Sequence, residues 1–135
     1  IGFAKAAELA RSDLASRSQR LEGLRNQLWE GLKQRQPTLL LNGDAMTRLP
    51  HNLNITIPGV SGSKLHRALR SRVACSSGSA CSRGEPSHVL MALGHSRQEA
   101  EASLRLSLGR STSDRDIDQA IQAINDVIHQ LRHKP

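Results

Sequence analysis

The chain has 135 residues, a formal net charge of +7 and a pI near 10.7. This length allows one modest hydrophobic core, and it is short for an enzyme that holds a cofactor between two lobes. The basic charge suits nucleic acid or an acidic protein as a partner, but one Trp, one Phe and no Tyr argue against a base-stacking surface, so nucleic-acid binding is not expected.

Compartment and metal binding are constrained by what the sequence lacks. No run approaches the ~20 apolar residues of a membrane span, and the start lacks signal-peptide order, so we expect a soluble, cytoplasmic protein without membrane contact. The chain opens on Ile1 within a helical pattern, as expected for a piece of a longer protein. Cys75 and Cys81 fit neither a disulfide framework nor a CxxC pair, and the histidines lack zinc-site spacing, so no metal is expected.

The first predicted element is one long amphipathic helix over residues 4–34, which ends before Pro37. Its leucines recur at spacings of three, four and seven, which is typical of a helix with one buried stripe. The stripe consists of Leu14, Leu21, Leu24, Leu28 and Leu32.

Two strands and a short helix are predicted next. Residues 38–41 are a short β-prone run followed by the turn residues 42–44, and residues 52–57 alternate polar and apolar side chains as a half-buried strand does. Residues 63–69 predict a short helix, and residues 72–75 a brief strand. From there to Glu85 the chain is rich in Ser and Gly, which predicts an exposed loop that contains Cys81.

The last part of the chain predicts three helices and a strand. Pro86 suits a first helical position, Val89, Leu90 and Leu93 form an apolar face, and Gly94 suits the C-terminal cap. Ser96 and Glu99 form a capping box for the next helix. Residues 104–108 alternate as a strand that places Arg105 opposite the leucines.

A final amphipathic helix is predicted to begin at Ser113, with Asp116 three residues on. Two long helices flanking short strands indicate an α+β fold, in which a small, mostly antiparallel sheet is covered by the N- and C-terminal helices. The predicted core face of the last helix consists of Ile117, Ala120, Ile121, Ile124, Val127, Ile128 and Leu131.

Two residues are candidates for chemistry. The Ser- and Gly-rich surroundings of Cys81 favour a reactive thiol, but free cysteines are commonly structural, so both interpretations stay open. Cys75 follows apolar residues and is predicted to be buried packing. Arg105 is either a surface charge or a guanidinium that binds a carboxylate by two parallel hydrogen bonds. For Arg110 a surface role, a phosphate contact and a helix-entry role all stay open.

Several spaced motifs closely resemble those of cysteine desulfurases, and they occur in the same order over nearly the whole chain. The early motifs are Leu41-Asn42-Gly43-Asp44, Leu49-Pro50 and Leu53-Asn54-Ile55. The later motifs are Ser76-Ser77-Gly78-Ser79-Ala80-Cys81, Glu85-Pro86-Ser87-His88-Val89-Leu90, Ala92-Leu93-Gly94 and Leu104-Arg105-Leu106-Ser107-Leu108-Gly109-Arg110.

The resemblance implies that residues 1–135 are the C-terminal small domain of a fold-type-I, pyridoxal-phosphate-dependent homodimer that converts L-cysteine to L-alanine. By motif position, Cys81 matches the catalytic nucleophile that takes the sulfur and becomes a persulfide. Arg105 matches the arginine that binds the substrate carboxylate. The resemblance also implies delivery of the sulfur to an acceptor or iron–sulfur scaffold protein.

The sequence departs from the family pattern in two ways. No segment resembles the large cofactor-binding domain, and none of Lys5, Lys33, Lys64 and Lys134 has the setting of a Schiff-base lysine. No cofactor is therefore expected to bind this chain, which we expect to be inactive alone. In addition, only three residues separate Cys81 from Glu85, which is shorter than the commonest version of this loop.

Two other hypotheses follow from the sequence. The first is a stand-alone interaction domain whose basic surface binds an acidic protein or nucleic acid. The second is self-association, or domain swapping, through helix faces that a larger lobe covers in the complete protein.

Overall fold

A computed structural model describes residues 1–76 and 85–133, and it places six helices and three strands within them. In chain order the elements are α1 (Gly2–Ser12), α2 (Leu14–Arg35), β1 (Leu40–Leu41), β2 (Asn52–Thr56), α3 (Gly62–Leu69), α4 (His88–Ala92), α5 (Arg97–Glu101), β3 (Ser103–Ser107) and α6 (Asp114–His133). Among the described residues, no helix has the length and apolar character that a membrane span requires.

The strands form one antiparallel sheet in the order β1-β2-β3. Alternation gives this sheet an apolar face, which packs into the core with α2, α3 and α6, and a polar face on the other side. The predicted α+β fold with a small antiparallel sheet is therefore confirmed. The fully buried strand residues on the apolar face are Leu53, Ile55 and Leu104.

The predicted single helix over residues 4–34 is wrong at one point, because the chain forms two helices that meet at Asp13. The backbone of Asp13 leaves helical geometry, with φ −113° and ψ 9°. Its carboxylate accepts a hydrogen bond from Arg110 at 2.7 Å, and Arg20 donates to the carbonyl oxygens of Arg110 and Thr112. Residues distant in sequence thus hold the junction between α1 and α2. The helical period of the sequence contains no information on such contacts.

The buried stripe is also shorter than predicted. Leu14 is 57% exposed, and burial within α2 begins only at Leu21. None of the α1 residues is buried. The core formed with the sheet and α6 includes α2 residues from Leu21 to Leu32, so the first turns of α2 and all of α1 lie outside it.

The predicted strand over residues 72–75 does not form. The amide groups of Arg72 and Val73 both donate to the carbonyl oxygen of Leu69, so the chain completes a turn after α3 instead of extending. Within the described residues it first reaches β3 at Ser76, through an isolated antiparallel bridge to Arg105.

The helix after Glu85 begins later than predicted. Pro86 lies before the cap, and Ser87 is the N-cap residue whose hydroxyl accepts a hydrogen bond from the amide of Leu90. Gly94 has φ +91° and ends the helix in the left-handed conformation, as predicted. Of the predicted apolar face only Leu90 is buried, whereas the exposed members are Val89 and Leu93.

Both predicted capping pairs form. Ser96 and Glu99 make a complete capping box at α5, and Ser113 and Asp116 exchange the same kind of hydrogen bonds at α6. Hydrogen bonds from the hydroxyl and amide of Ser113 lower the pKa of Asp116. The core face of α6 is confirmed, with Ala120 and Leu131 only partly buried at its margins.

Gly62, the first residue of α3, brings this helix into direct contact with the end of α5. A Cβ atom at this position would clash with the backbone carbonyl of Glu101, which cannot move as a flexible side chain does. The absence of a side chain at position 62 therefore fixes how α3 enters the core, where Leu65 and Leu69 are fully buried.

We expect the Gly62→Ala substitution to lower the free energy of unfolding by about 3 kcal/mol, because the added methyl group overpacks against backbone. Gly23→Ala in α2 is the matched control, since its Cβ would meet open space. Its better helix propensity should raise stability by roughly 0.5–1 kcal/mol. Urea unfolding followed by circular dichroism measures both changes. Equal stability of the two variants would contradict the close contact.

Candidate functional site

Arg105 lies on the polar face of the sheet, in the middle of β3. It is exposed, in agreement with the predicted alternation, and its register partner on β2 is Asn54. Its Nη2 donates a long hydrogen bond of 3.4 Å to the hydroxyl of Ser76. In the part of the chain that the structure describes, no carboxylate lies within ion-pair distance of this guanidinium. Its charge is thus available for an external anion.

Ser76 connects this strand to the segment that carries Cys81. The amide of Ser76 donates to the carbonyl oxygen of Arg105 at 3.1 Å, and the amide of Arg105 donates to the carbonyl oxygen of Ser76 at 2.9 Å. Cys81 itself lies outside the described residues. The structure therefore brings Arg105 next to the start of the Cys81 segment, which ordinary sequence periodicity did not predict.

The other cysteine, Cys75, has the environment of a structural residue. Its side chain is half-buried and packs against the hydrophobic core. Burial raises the pKa of the Cys75 thiol above its ordinary value, which favours the protonated form at neutral pH. The contact with the core agrees with the predicted packing position of Cys75, although the side chain is half-buried and not fully buried.

A buried polar network lies beside Arg105 at one end of the polar face. Thr56 Oγ1 lies 2.7 Å from Ser103 Oγ and donates to Asn42 Oδ1, and Asn42 Nδ2 donates to Asn54 Oδ1 at 2.8 Å. These bonds hold Asn54, the neighbour of Arg105, in place. Sequence reasoning missed the network, although the alternating polar residues of β2 were a signal for it.

His66 extends the network from the side of α3. Its Nε2 lies 3.2 Å from the carbonyl oxygen of Ser103, and burial lowers the pKa of His66. A lowered pKa favours the neutral ring at neutral pH.

The described lysines do not form a cofactor site. Lys5 pairs with Glu8, Lys33 donates to two backbone carbonyl groups, and Lys64 is exposed on α3. None of the three is enclosed as a Schiff-base lysine would have to be. Within residues 1–76 and 85–133, no three His, Cys, Asp or Glu side chains converge as a metal site would require. Arg110 is engaged with Asp13, which favours the surface role among its alternatives.

Comparisons with known proteins cover nearly the whole chain. Cysteine desulfurases IscS from Aeromonas salmonicida and Photorhabdus laumondii are 42% and 43% identical to it over 134 residues, which are 98% of this chain and 33% of each relative. The chain thus spans about a third of the length of these curated relatives. The resemblance to cysteine desulfurases that the motifs indicate is confirmed.

The structural comparison agrees with the sequence comparison. A NifS-like protein from Rickettsia africae matches with a TM-score of 0.83 at 27% identity, over 95% of this chain and 33% of that one. A second NifS-like protein matches with a TM-score of 0.80 at 26% identity, over 95% of this chain and 32% of that one. The family model described as aminotransferase class-V matches residues 1–120. The chain therefore belongs to the class-V aminotransferase family.

Proposed function

We propose that residues 1–135 are the C-terminal small domain of a cysteine desulfurase, which converts L-cysteine to L-alanine and transfers the sulfur to Cys81 as a persulfide. The bridge between Ser76 and Arg105 is the observation that carries this proposal. It joins a cation free to bind a carboxylate to the start of the segment that bears the sulfur-accepting thiol. The similarity to cysteine desulfurases, which are three times as long, supports the same assignment.

Arg105 would orient the substrate through its carboxylate. A guanidinium makes two parallel, charge-assisted hydrogen bonds to a carboxylate, and this fixes the direction as well as the position of an amino acid. The two backbone hydrogen bonds to Ser76 and the neighbouring Asn54 hold the strand that presents this side chain. Holding a reactant in one geometry removes a large part of the entropy cost of reaction.

The described residues do not fit pyridoxal phosphate, because none of Lys5, Lys33 and Lys64 lies in an enclosed site. We therefore assign the cofactor and its lysine to a large domain that is not part of this chain. Cys81 and Arg105 would be contributed to a site that this domain completes. The isolated chain should then be inactive, as the motifs imply.

The sulfur would leave Cys81 for an acceptor protein, such as an iron–sulfur scaffold. The complete enzyme would be a homodimer, as the resemblance to cysteine desulfurases implies, and we place it in the cytoplasm. Concentration-dependent sedimentation of the isolated 135-residue chain tests the hypothesis of self-association. A salt-titrated binding assay tests the hypothesis of a stand-alone interaction domain.

The experiment compares the isolated chain with the complete enzyme, in which the large domain precedes it. The complete enzyme should bind pyridoxal phosphate, as measured by absorbance. With L-cysteine and a reducing thiol it should also release L-alanine. The isolated chain should do neither. Alanine release by the isolated chain, or its absence from the cofactor-loaded complete enzyme, would contradict the proposal.

A further inference from the structure

The strongest charge asymmetry of the chain surrounds α3. No acidic residue occurs between Asp44 and Glu85, whereas this stretch contains six basic residues, five of them from Lys64 onward. Three of them, Lys64, Arg67 and Arg70, lie on α3 or at its C-cap, and all three are exposed. We call these three residues the basic face of α3.

The geometry of the helix places the three charges together. Arg70 keeps helical backbone angles, with φ −51° and ψ −35°, so the spacing of three residues continues through the cap. Residues three apart are neighbours on a helix surface. The buried residues Leu65 and Leu69 occupy the opposite side, which fixes the basic face toward solvent.

Helix stability does not explain this arrangement. Arg67 and Arg70 near the end suit the helix dipole, but Lys64 lies in the first turn, where a positive charge opposes it. The first turn has no acidic residue to offset it. Like charges three apart also repel each other by a few tenths of a kcal/mol. The helix dipole therefore accounts for Arg67 and Arg70 but not for Lys64.

Neighbouring acidic residues leave the basic face unneutralised. Two helices that carry carboxylates, α5 and α6, pack against α3. Glu101 pairs with Arg97, and Glu99 is bound to Ser96, whose hydrogen bonds lower the pKa of Glu99. Among the described residues, none of the three cations of the basic face takes part in an ion pair.

The basic face lies close in sequence to the sulfur-accepting segment. Arg70 precedes Ser76 by six residues, and Ser76 is the anchor from which the chain continues to Cys81. A rigid contact at Gly62 holds α3 against α5. A partner bound to the basic face would thus be held near the chain that carries the thiol.

We propose that the basic face of α3 docks an acidic surface of the protein that accepts sulfur from Cys81. This inference rests on the proposed function. Charge complementarity steers association and raises the rate of encounter by about 10- to 1000-fold. A protein occupant is favoured over nucleic acid because the chain has a single Trp, a single Phe and no Tyr to stack on bases.

The test uses the complete, cofactor-loaded enzyme and three synthetic acceptor peptides. The peptides have equal length and one cysteine each, and are otherwise acidic, neutral or basic. At low salt, sulfur transfer from Cys81 should be at least about tenfold faster to the acidic than to the neutral peptide. This preference should vanish near ~1 M salt, where charges are screened beyond about 3 Å.

Two triple variants with the same change in net charge identify the surface. Lys64→Gln, Arg67→Gln and Arg70→Gln together should abolish the preference for the acidic peptide. The control variant removes exposed cations elsewhere and should keep the preference. Its substitutions are Arg11→Gln, Arg35→Gln and Arg115→Gln. The Cys81 persulfide is measured first in every variant by mass spectrometry. This measurement separates a failure to form the persulfide from a failure to dock the acceptor peptide.

If the Cys81 persulfide forms but the sulfur is transferred equally to all three peptides, the docking proposal is wrong and the proposed function stands. The same holds if the control variant loses the preference for the acidic peptide. Absence of the persulfide from the parent enzyme would overturn the proposed function and the docking proposal with it. A third outcome would be no preference among the peptides together with salt-dependent binding of a single-stranded RNA. If only the variant at Lys64, Arg67 and Arg70 lost this RNA binding, the partner of the basic face would be nucleic acid and not an acidic protein.

Discussion

Replacing Cys81 with serine in the complete enzyme should lower sulfur transfer by at least about 10³-fold, because the step then lacks its nucleophile. In the proposed step, the Cys81 thiolate attacks the substrate sulfur, so that an S–S bond forms and the C–S bond breaks. The electron pair of the C–S bond stays on carbon, which takes up a proton and becomes the methyl group of alanine. Mass spectrometry should find no added sulfur on the peptide that contains residue 81.

Cys75→Ser is the matched control, because it removes the only other thiol of the chain. Cys75 is half-buried with a raised pKa, so its loss should leave the persulfide and its transfer close to the parent level. Absorbance of bound pyridoxal phosphate should survive in both variants. A persulfide that persists in Cys81→Ser, or that disappears in Cys75→Ser, would move the acceptor role to the other cysteine.

Replacing Arg105 with alanine should lower kcat/KM for L-cysteine about 100-fold, which corresponds to roughly 3 kcal/mol of lost charge-assisted hydrogen bonding. The loss should fall mainly on KM, since the guanidinium binds the carboxylate before and during reaction. Arg105→Lys should recover only part of it, because an ammonium group cannot form the two parallel bonds. Steady-state alanine release measures these values.

A comparison of ligands separates substrate binding from support of the strand. Dissociation constants are measured for L-cysteine and for its methyl ester, which lacks the carboxylate charge. Arg105→Ala should weaken binding of L-cysteine while it leaves the ester nearly unchanged. Arg115→Ala, which removes an exposed arginine of α6, should affect neither. An equal loss for both ligands in Arg105→Ala would show a structural role and contradict the assignment.

Much of the fold followed from local patterns. The alternation around Arg105 predicted a strand with this residue on the polar face, and the capping pairs at Ser96 and Ser113 located two helix starts correctly. The periodic face of α6 predicted its buried residues. Each of these features depends on residues within a few positions of one another, which a single sequence does reveal.

The errors arose where distant parts of the chain decide the local structure. The break between α1 and α2 is held at Asp13 by Arg110, 97 positions away. The predicted strand before Ser76 is replaced by a turn on Leu69 and a single bridge to Arg105. Patterns within one element carry no information on such contacts.

The candidate site was also predicted only in part from the sequence. Motifs selected Cys81 and Arg105, but the hydrogen bonds that support Arg105 join Asn42 to Ser103 and Thr56 to Ser103 across 61 and 47 positions. Only the folded sheet places these polar groups together. The sequence therefore shows the polar residues of the network, but it does not show which of them form hydrogen bonds with each other.

The two sides of α3 are under different constraints on sequence change. The side that begins at Gly62 and includes Leu65 and Leu69 admits little variation, because any change must be matched by a shift of α5 or of the core. Lys64 and Arg67 contact solvent and can be exchanged at almost no structural cost. Descendants of this chain could thus acquire a different partner by surface substitutions alone, while the strand that presents Arg105 stays unaltered.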